Sequence, residues 1–410
     1  RGEGGDYVLG ELQPSISQEQ YRSDVERIRG HIAAGDTYQV NHTLRLHGSF
    51  AGDAQALYRT MGQRQQAGYS AYFDLRQHVL VSASPELFFQ ISGRQCSTRP
   101  MKGTMSRGRW SAEDLQQAEK LQRSPKDRAE NVMVTDLLRN DIGRISEVGS
   151  VAVPALWTTE RYPTLWQLTS TVSSILRAGV GLADVFTALF PCGSITGAPK
   201  IRTMQIIAEL EHEPRGIYTG CMGYWSPGED ACFNVAIRTA HLNRKKGQIE
   251  FGVGSGITWG SVAEAEYGEC LVKAQVVRVR QPDFRLLETM LFADGAYYLL
   301  DRHLQRLADS ASYWGFTCDL VGITKALEEE ADLLAKRSFR VRLLLAESGE
   351  VAVESHPLTP PRRLRVALAG EKVDSSDSFL YHKTTHRAVY ERHLASRPEC
   401  DDVILHNERD

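Results

Sequence analysis

The sequence predicts an α/β protein: an antiparallel or mixed sheet with helices, followed by a second domain. Three observations carry this expectation. Apolar or alternating runs at 37–46, 70–74, 79–82 and 88–92 follow one another closely, which predicts an antiparallel or mixed sheet rather than regular strand–helix–strand repeats. Helical patterns around 17–35 and 111–140 supply amphipathic cover. The chain has 410 residues, enough for about two to three domains, and its composition shifts after Val277.

Composition excludes several classes. A hydrophobic fraction of 42% with 24% charge is ordinary for a globular protein with a substantial core. A net charge of -3 gives no electrostatic reason to expect nucleic acid or an anionic membrane as partner. No run of about eighteen apolar residues occurs, so no transmembrane helix is expected. The seven cysteines form no CxxC pair and are odd in number, which fits reduced, mostly buried thiols of a cytoplasmic protein. The N-terminus carries no signal-peptide pattern. Arg1 is not a natural start and Asn407–Asp410 ends abruptly, so trimming at both ends is the expectation.

Taken in order, residues 1–14 are Gly-rich and polar. Ser17 is placed to cap a helix whose apolar positions Tyr21, Val25, Ile28 and Ile32 recur at helical spacing, with Gly35 after the last turn. The sheet runs follow. They lead to Arg99-Pro-Met-Lys-Gly-Thr104, where a lysine between proline and glycine predicts a tight turn. The helical region 111–140 breaks at Ser124-Pro125. In its second half Glu130 is in register with Met133, Val134 and Leu137, so a buried carboxylate there calls for a salt bridge or a cation. A strand at 149–156 and a helix at 164–176 are expected next.

Pro191–Lys200 (PCGSITGAPK) reads as a polar, flexible loop before a helix begun by Pro199. Its N–H groups with Lys200 nearby suit an anion, although such a loop is more often a plain turn. Strands are expected at 216–225, 231–242 and 249–254, with Arg238 inside one of them amid apolar neighbours. The glycine-rich loop Gly252–Thr258 precedes a helix on which Glu266, Glu269 and Lys273 share one face. Those two carboxylates with Glu130 make a hard oxygen set suited to Mg²⁺, the alternative being a solvated charged face.

Residues 278–282 read as a linker. Beyond it come a strand at 284–292, the Asp294-Gly295 hairpin turn and a return strand at 296–300. Helices at 301–313 and 321–335, then strands at 338–346, 351–355 and 364–369, complete the pattern.

Over residues 12–280 seven ordered segments resemble the chorismate-utilising enzymes. They are GDTYQVN at 35–41, Ser84-Pro-Glu86, RPMKGT, KDRAE at 126–130 with DLLRNDIGR, PCGSITGAPK, the Arg238 strand, and GSGIT with EAEYGECLVKA. The resemblance implies the family's sandwich of two packed sheets with outer helices and a site between the sheets, over a domain 1–280. Anthranilate and isochorismate members look like P-x-A-G-T at the Lys102 segment, whereas aminodeoxychorismate synthases carry P-I-K-G-T. RPMKGT is similar to the latter. Gln39 agrees, since isochorismate and salicylate synthases have a lysine there.

What the resemblance implies is conversion of chorismate and ammonia to 4-amino-4-deoxychorismate. Lys102 is the covalent nucleophile, Glu86 the acid and Thr196 a contact near ring C4. Tyr218, Arg238, Gly256 and Lys273 contact carboxylates, and Glu130, Glu266 and Glu269 hold Mg²⁺. Ammonia comes from a separate glutamine amidotransferase subunit. The alternatives are an anthranilate synthase component I and a non-catalytic binding subunit. Gln167 stands where many members have histidine, and His42 replaces an aliphatic residue.

Residues 283–410 resemble the class IV pyridoxal-phosphate enzymes, specifically aminodeoxychorismate lyases, on FRLLETM at 284–290, HLQRL at 303–307 and KTTHRAVY at 383–390. This implies that Lys383 takes the cofactor and Arg306 its phosphate. The chain ends before the family's pyridinium-pairing glutamate and second phosphate loop, so only a small, partial lyase-like α+β domain is expected.

Overall fold

Serine caps set the first helices. The Ser17 hydroxyl accepts from the Gln20 N–H at 3.1 Å and opens the helix Gln18–Ala33. Ser124 accepts from Asp127 at 3.3 Å, so Ser111–Arg123 ends and Pro125–Gly143 begins where the sequence breaks. The computed structural model describes residues 5–228, 230–278, 282–334, 337–359 and 362–409; most of the expected linker lies outside them. The chain divides into two compact units, Arg1–Ser106 with Ala118–Gln281, and Arg107–Gln117 with Pro282–Asp410.

The first unit holds two antiparallel sheets. The spine of the eight-stranded sheet runs Tyr7–Leu9, Gln39–Gly52, Gln248–Ile257, Thr239–Asn243, His78–Ser84, Tyr69–Leu75. The spine of the seven-stranded sheet runs Cys221–Trp225, Ala231–Val235, Leu87–Ser92, Gln95–Arg99, Leu165–Ile175, Met101–Ser106, with Ala152–Arg161 also paired to Leu165–Ile175. Each sheet has its own core. Tyr21, Val25 and Ile28 pack with Val40, Leu44, Phe251 and Val253 on one; Val134, Leu138 and Ile142 pack with Phe89, Ile91 and Val172 on the other.

Four local expectations are corrected. Residues 164–176 form a strand, Leu165–Ile175, because Thr169-Ser-Thr-Val-Ser-Ser-Ile175 is rich in β-branched and small side chains and buries largely alternate positions. Lys102 sits in a strand, Met101–Ser106, not a turn. Gln95–Arg99 and Met101–Ser106 both pair with Leu165–Ile175, and the register shift between Gln167 and Thr169, with Gly103 at φ 93°, absorbs the irregularity as a bulge. Gly252–Ile257 is ladder, not loop, since Gly252 faces Arg45 and Gly256 faces Asn41. The 231–242 run is broken: Ala231–Val235 and Thr239–Asn243 lie in different sheets, and Arg238, at φ 50°, is in the crossing between them.

The second unit has a four-stranded antiparallel sheet in the order Ala296–Tyr297, Leu286–Ala293, Phe339–Leu345, Val351–Pro357. Asp294 and Gly295 at φ 53° and 80° make the expected hairpin turn. Helices Leu300–Trp314 and Leu320–Leu333 cover the sheet through Leu307, Ile323 and Leu327.

Candidate active site

One cavity of ≈ 430 Å³ in the first unit is lined by Glu86, Lys102, Glu130, Tyr218, Arg238, Gly256, Glu266, Glu269 and Lys273. Both sheets contribute: Asn41, Gly254 and Gly256 come from one, Lys102, Leu165 and Gln167 from the other. Of the first-unit residues expected in the site, only Thr196 is absent from this lining. It is buried, and its hydroxyl donates to the Cys192 and Gly193 carbonyls, each at 3.2 Å.

Lys102 is the centre. Burial depresses its proton affinity and the nearby Lys273 charge lowers it further, against Glu130, Glu86 and Glu269. An amine held so gives up its proton more easily than an ordinary lysine, and the neutral form is the nucleophile. Across the cavity Glu86 is 3% exposed, and burial pushes its carboxyl up to about 7, opposed by a Ser194 hydrogen bond and the Lys102 charge. One Glu86 oxygen, Oε1, has no hydrogen-bond partner. A protonated, unsatisfied carboxyl of this kind suits proton donation.

The helix Ala263–Lys273 brings Glu266, Glu269 and Lys273 to the same wall. Lys273 donates to the Gly254 carbonyl at 2.8 Å and pairs with Glu269 at 2.6 Å; burial raises the Glu269 carboxyl, but Lys273 outweighs it and the net position is lowered. Burial raises Glu130, and Asp127 and Glu266 add to this, while Lys102 and Lys126 oppose it. Mutually repelling carboxylates facing one cavity are the donor chemistry a hard cation neutralises. Among the described residues no three His, Cys, Asp or Glu side chains are drawn together into an ion-holding group.

Arg238 lines the cavity with no carboxylate at ion-pair distance among the described residues, and burial lowers its proton affinity. A desolvated guanidinium without a partner is costly, and a carboxylate ligand would relieve it. Tyr218 lies beneath Gly252, where a β-carbon would come within 2.1 Å of its ring, and the Arg45 guanidinium lies over the ring at 5.2 Å from its centre.

The 191–200 stretch is no flexible anion loop. Ser194 and Thr196 are buried in and beside a single 3-10 turn. Lys200 is committed to Asp141 at 2.6 Å and to the Leu189 and Pro191 carbonyls at 3.2 and 3.1 Å. The cavity-lining residue missed in this motif is Ser194, whose hydroxyl bears on the Glu86 carboxyl; its place inside PCGSITG was the available signal. Gln167 lines the cavity and accepts from the Thr104 hydroxyl at 3.3 Å.

In the second unit Lys383 and Arg306 line one cavity of ≈ 230 Å³ with Arg387 and Tyr390. Burial lowers the Lys383 amine, against Glu288, and Arg306 and Arg387 lower it further. Arg306 donates to the buried Glu288 at 2.7 Å and His303 contacts the same carboxylate at 2.7 Å. Sequence reasoning missed Glu288, whose signal was a lone acid in an apolar strand.

Of the seven free cysteines, Cys96, Cys192 and Cys270 are buried and the other four half-buried. No helix among the described residues is long and apolar enough to cross a membrane.

Residues 3–278 match the family model of chorismate binding enzymes, and residues 285–410 match that of class IV amino-transferases. Aminodeoxychorismate synthase component 1 of Escherichia coli (strain K12) is 40% identical over 269 residues, 65% of this chain and 59% of the relative. Anthranilate synthase component 1 of Thermus thermophilus is 41% identical over 266 residues, 65% of this chain and 57% of the relative. The crystal structure of anthranilate synthase component I from Streptococcus pneumoniae superposes with a TM-score of 0.61 at 32% identity, covering 66% of this chain and 60% of that one. The chain therefore spans less than two thirds of the length of these relatives. On the match over residues 3–278, the chain belongs to the chorismate binding enzyme family.

Proposed function

We propose that the first unit, within a domain spanning about 1–280, aminates chorismate to 4-amino-4-deoxychorismate as an aminodeoxychorismate synthase component I. The observation that carries this reading is Lys102: an amine whose proton affinity burial and a neighbouring cation lower, in one cavity with Glu86, whose carboxyl burial pushes up to about 7. The Lys102 nitrogen adds at ring C2, the ring electrons shift, and the C4 hydroxyl departs as water with the Glu86 proton. Ammonia then adds at C4, the electrons return, and the bond to Lys102 breaks. Arg238, Tyr218 and Lys273 receive the carboxylates of chorismate, and the backbone at Gly256 lies beside the Lys102 amine. Thr196 stays assigned near C4, acting from behind Ile195 rather than by lining the cavity.

Glu130, Glu266 and Glu269 are the residues to hold Mg²⁺, which when bound supplies the charge that clamps a ring carboxylate. Ammonia comes from a glutamine amidotransferase partner, and the free thiols agree with a reducing cytoplasm. In the second unit Lys383 and Arg306 are the residues to hold pyridoxal phosphate, which when bound supplies an electron sink for release of pyruvate and 4-aminobenzoate. The cationic, lysine-bearing cavity fits an anionic aldehyde, although Arg306 already engages Glu288.

A second reading has support. An anthranilate synthase relative is as similar as the aminodeoxychorismate synthase one, so overall identity does not choose between ring positions. Mass spectrometry of products from the purified chain with chorismate, Mg²⁺ and ammonium decides. Aminodeoxychorismate, abolished by Lys102→Ala, is expected. Anthranilate would move the chain to the other branch, and wild-type turnover by Lys102→Ala would remove the covalent lysine.

A further inference from the structure

The strand pairing lapses where Lys102 stands. Gln167 faces Thr104 and Thr169 faces Met101, so Lys102, Gly103 and Leu168 fall in the gap between these two pairs. The helix Pro125–Gly143 closes over that gap. Its first turn seats on Gly103, where an added β-carbon would come within 2.9 Å of the Asp127 β-carbon. One turn further stands Asn131, wholly buried. Asp127, Asn131 and Thr135 are spaced four apart and share one face of the helix.

The Asn131 carboxamide is used on both sides. Its nitrogen donates to the Leu168 carbonyl at 3.2 Å and to the Lys102 carbonyl at 3.4 Å. Its oxygen accepts from the Ser170 hydroxyl and, at 3.4 Å, from the Thr135 hydroxyl. Ser170 in turn accepts from the Trp157 N–H at 3.2 Å, which ties in the strand Ala152–Arg161. Donors meet carbonyls and the acceptor meets hydroxyls, so the amide fits in one orientation. A side-chain donor thus stands in where the ladder between two strands has lapsed.

Asn131 is not among the residues that line the cavity, but its neighbour Glu130 is, and the Glu130 charge bears on the Lys102 amine. One helical turn therefore holds the root of the lysine and places a carboxylate toward its head.

We propose that Asn131 is a positioning residue for Lys102: its carboxamide holds the Lys102 and Leu168 carbonyls across the lapse and so sets the direction in which the lysine enters the cavity. The inference rests on Lys102 as the nucleophile and adds a residue that touches neither substrate nor reacting atoms. With the tether removed the root of the lysine shifts, and misplacing a reacting group by about 1 Å costs on the order of 10² in rate.

The test is steady-state kinetics of the purified chain, with each variant first shown to be folded by urea unfolding. Asn131→Ala removes both donors. Its kcat should fall roughly 30- to 100-fold with the KM for chorismate within about threefold, because Arg238 and Lys273 stand on other elements. Asn131→Leu, similar in size and without a donor, repeats the test without opening a space. Thr135→Val is the control: it removes a buried hydroxyl bonded to the Asn131 carbonyl at 2.7 Å but leaves both donors, and should keep kcat within about threefold even where stability falls. A kcat within about threefold of wild type in both Asn131 variants would overturn the proposal. So would a loss matched by Thr135→Val, or one shared equally by kcat and KM, since either marks general packing. Wild-type turnover by Lys102→Ala is a different failure: it removes the nucleophile itself, and the positioning role with it.

Discussion

The Lys102 amine lies 3.0 Å from the point where a β-carbon at residue 256 would project, and the Gln39 amide nitrogen lies 2.6 Å from the same point. The space that admits the lysine head exists because residue 256 has no side chain. Both neighbours are ends of flexible side chains, so an added methyl should displace them rather than break the fold. Gly256→Ala is therefore expected to lower kcat by one to two orders of magnitude while changing unfolding free energy by less than about 1 kcal/mol. Equal losses in stability and turnover, measured by urea unfolding and product formation, would mean the glycine serves the ladder instead.

Glu86 should govern the alkaline limb of activity. Its carboxyl keeps its proton up to about 7 through burial, so a proton-donating role is lost as pH rises through that value. Glu86→Gln is expected to cost roughly 10²–10⁴ in kcat and to remove that limb. Stability carries the same signature. The folded-state value is raised, so this contribution is complete below the ordinary carboxylate range and lost as pH rises through about 7. The glutamine variant should gain on wild type at pH 8 relative to pH 5 in urea unfolding; identical pH dependence would deny the raised carboxyl.

Glu266 tests the acidic wall. Glu266→Gln should reduce activity and shift the Mg²⁺ concentration for half-maximal rate upward about tenfold or more. Calorimetric titration of Mg²⁺ should weaken in parallel. If both are indifferent, the carboxylates are a solvated face.

Lys383 can be read without turnover. Pyridoxal phosphate added to the chain should give a weak absorbance change at the wavelengths of a lysine adduct, because Arg306 is engaged by Glu288. A stoichiometric signal lost in Lys383→Ala would show that the arginine yields readily to the phosphate.

Much of this was legible in the residues. Ser17, Ser124, Pro125 and Asp294-Gly295 announced their elements because caps and turns are decided by side chains one to three positions away. Lys102, Lys273 and the four glutamates of the first cavity were legible as ordered motifs. What failed was decided at long range. Leu165–Ile175 carries enough apolar spacing to imitate a helix, but its backbone is claimed by strands on both sides. Gly252–Ile257 resembles a loop because glycine marks flexibility and close packing alike; here Tyr218 packs beneath one of those glycines and Lys102 abuts another. Arg238 lay unreadably in a crossing between sheets, and Thr196 sits buried beside a single turn, off the cavity wall, which no local pattern announces.

The assignment of residues 107–117 to the second unit bears on how this protein can be taken apart. The Arg107 guanidinium donates to the Tyr313 carbonyl at 2.9 Å, the Tyr313 hydroxyl donates to the Gly108 carbonyl at 2.8 Å, and the Ser111 hydroxyl donates to the Asp309 carbonyl at 2.9 Å. In sequence these residues lie between Lys102 and Glu130, yet in packing they complete a body that otherwise begins at Pro282. A gene cut near codon 281 would therefore not separate two self-sufficient products. The upstream fragment would carry an eleven-residue piece of its neighbour, with Arg107 stripped of Tyr313 and Trp110 of Tyr381, and the downstream fragment would have a gap where that piece belongs. The two halves are dovetailed in the genetic text, and a clean dissection needs two cuts and a splice.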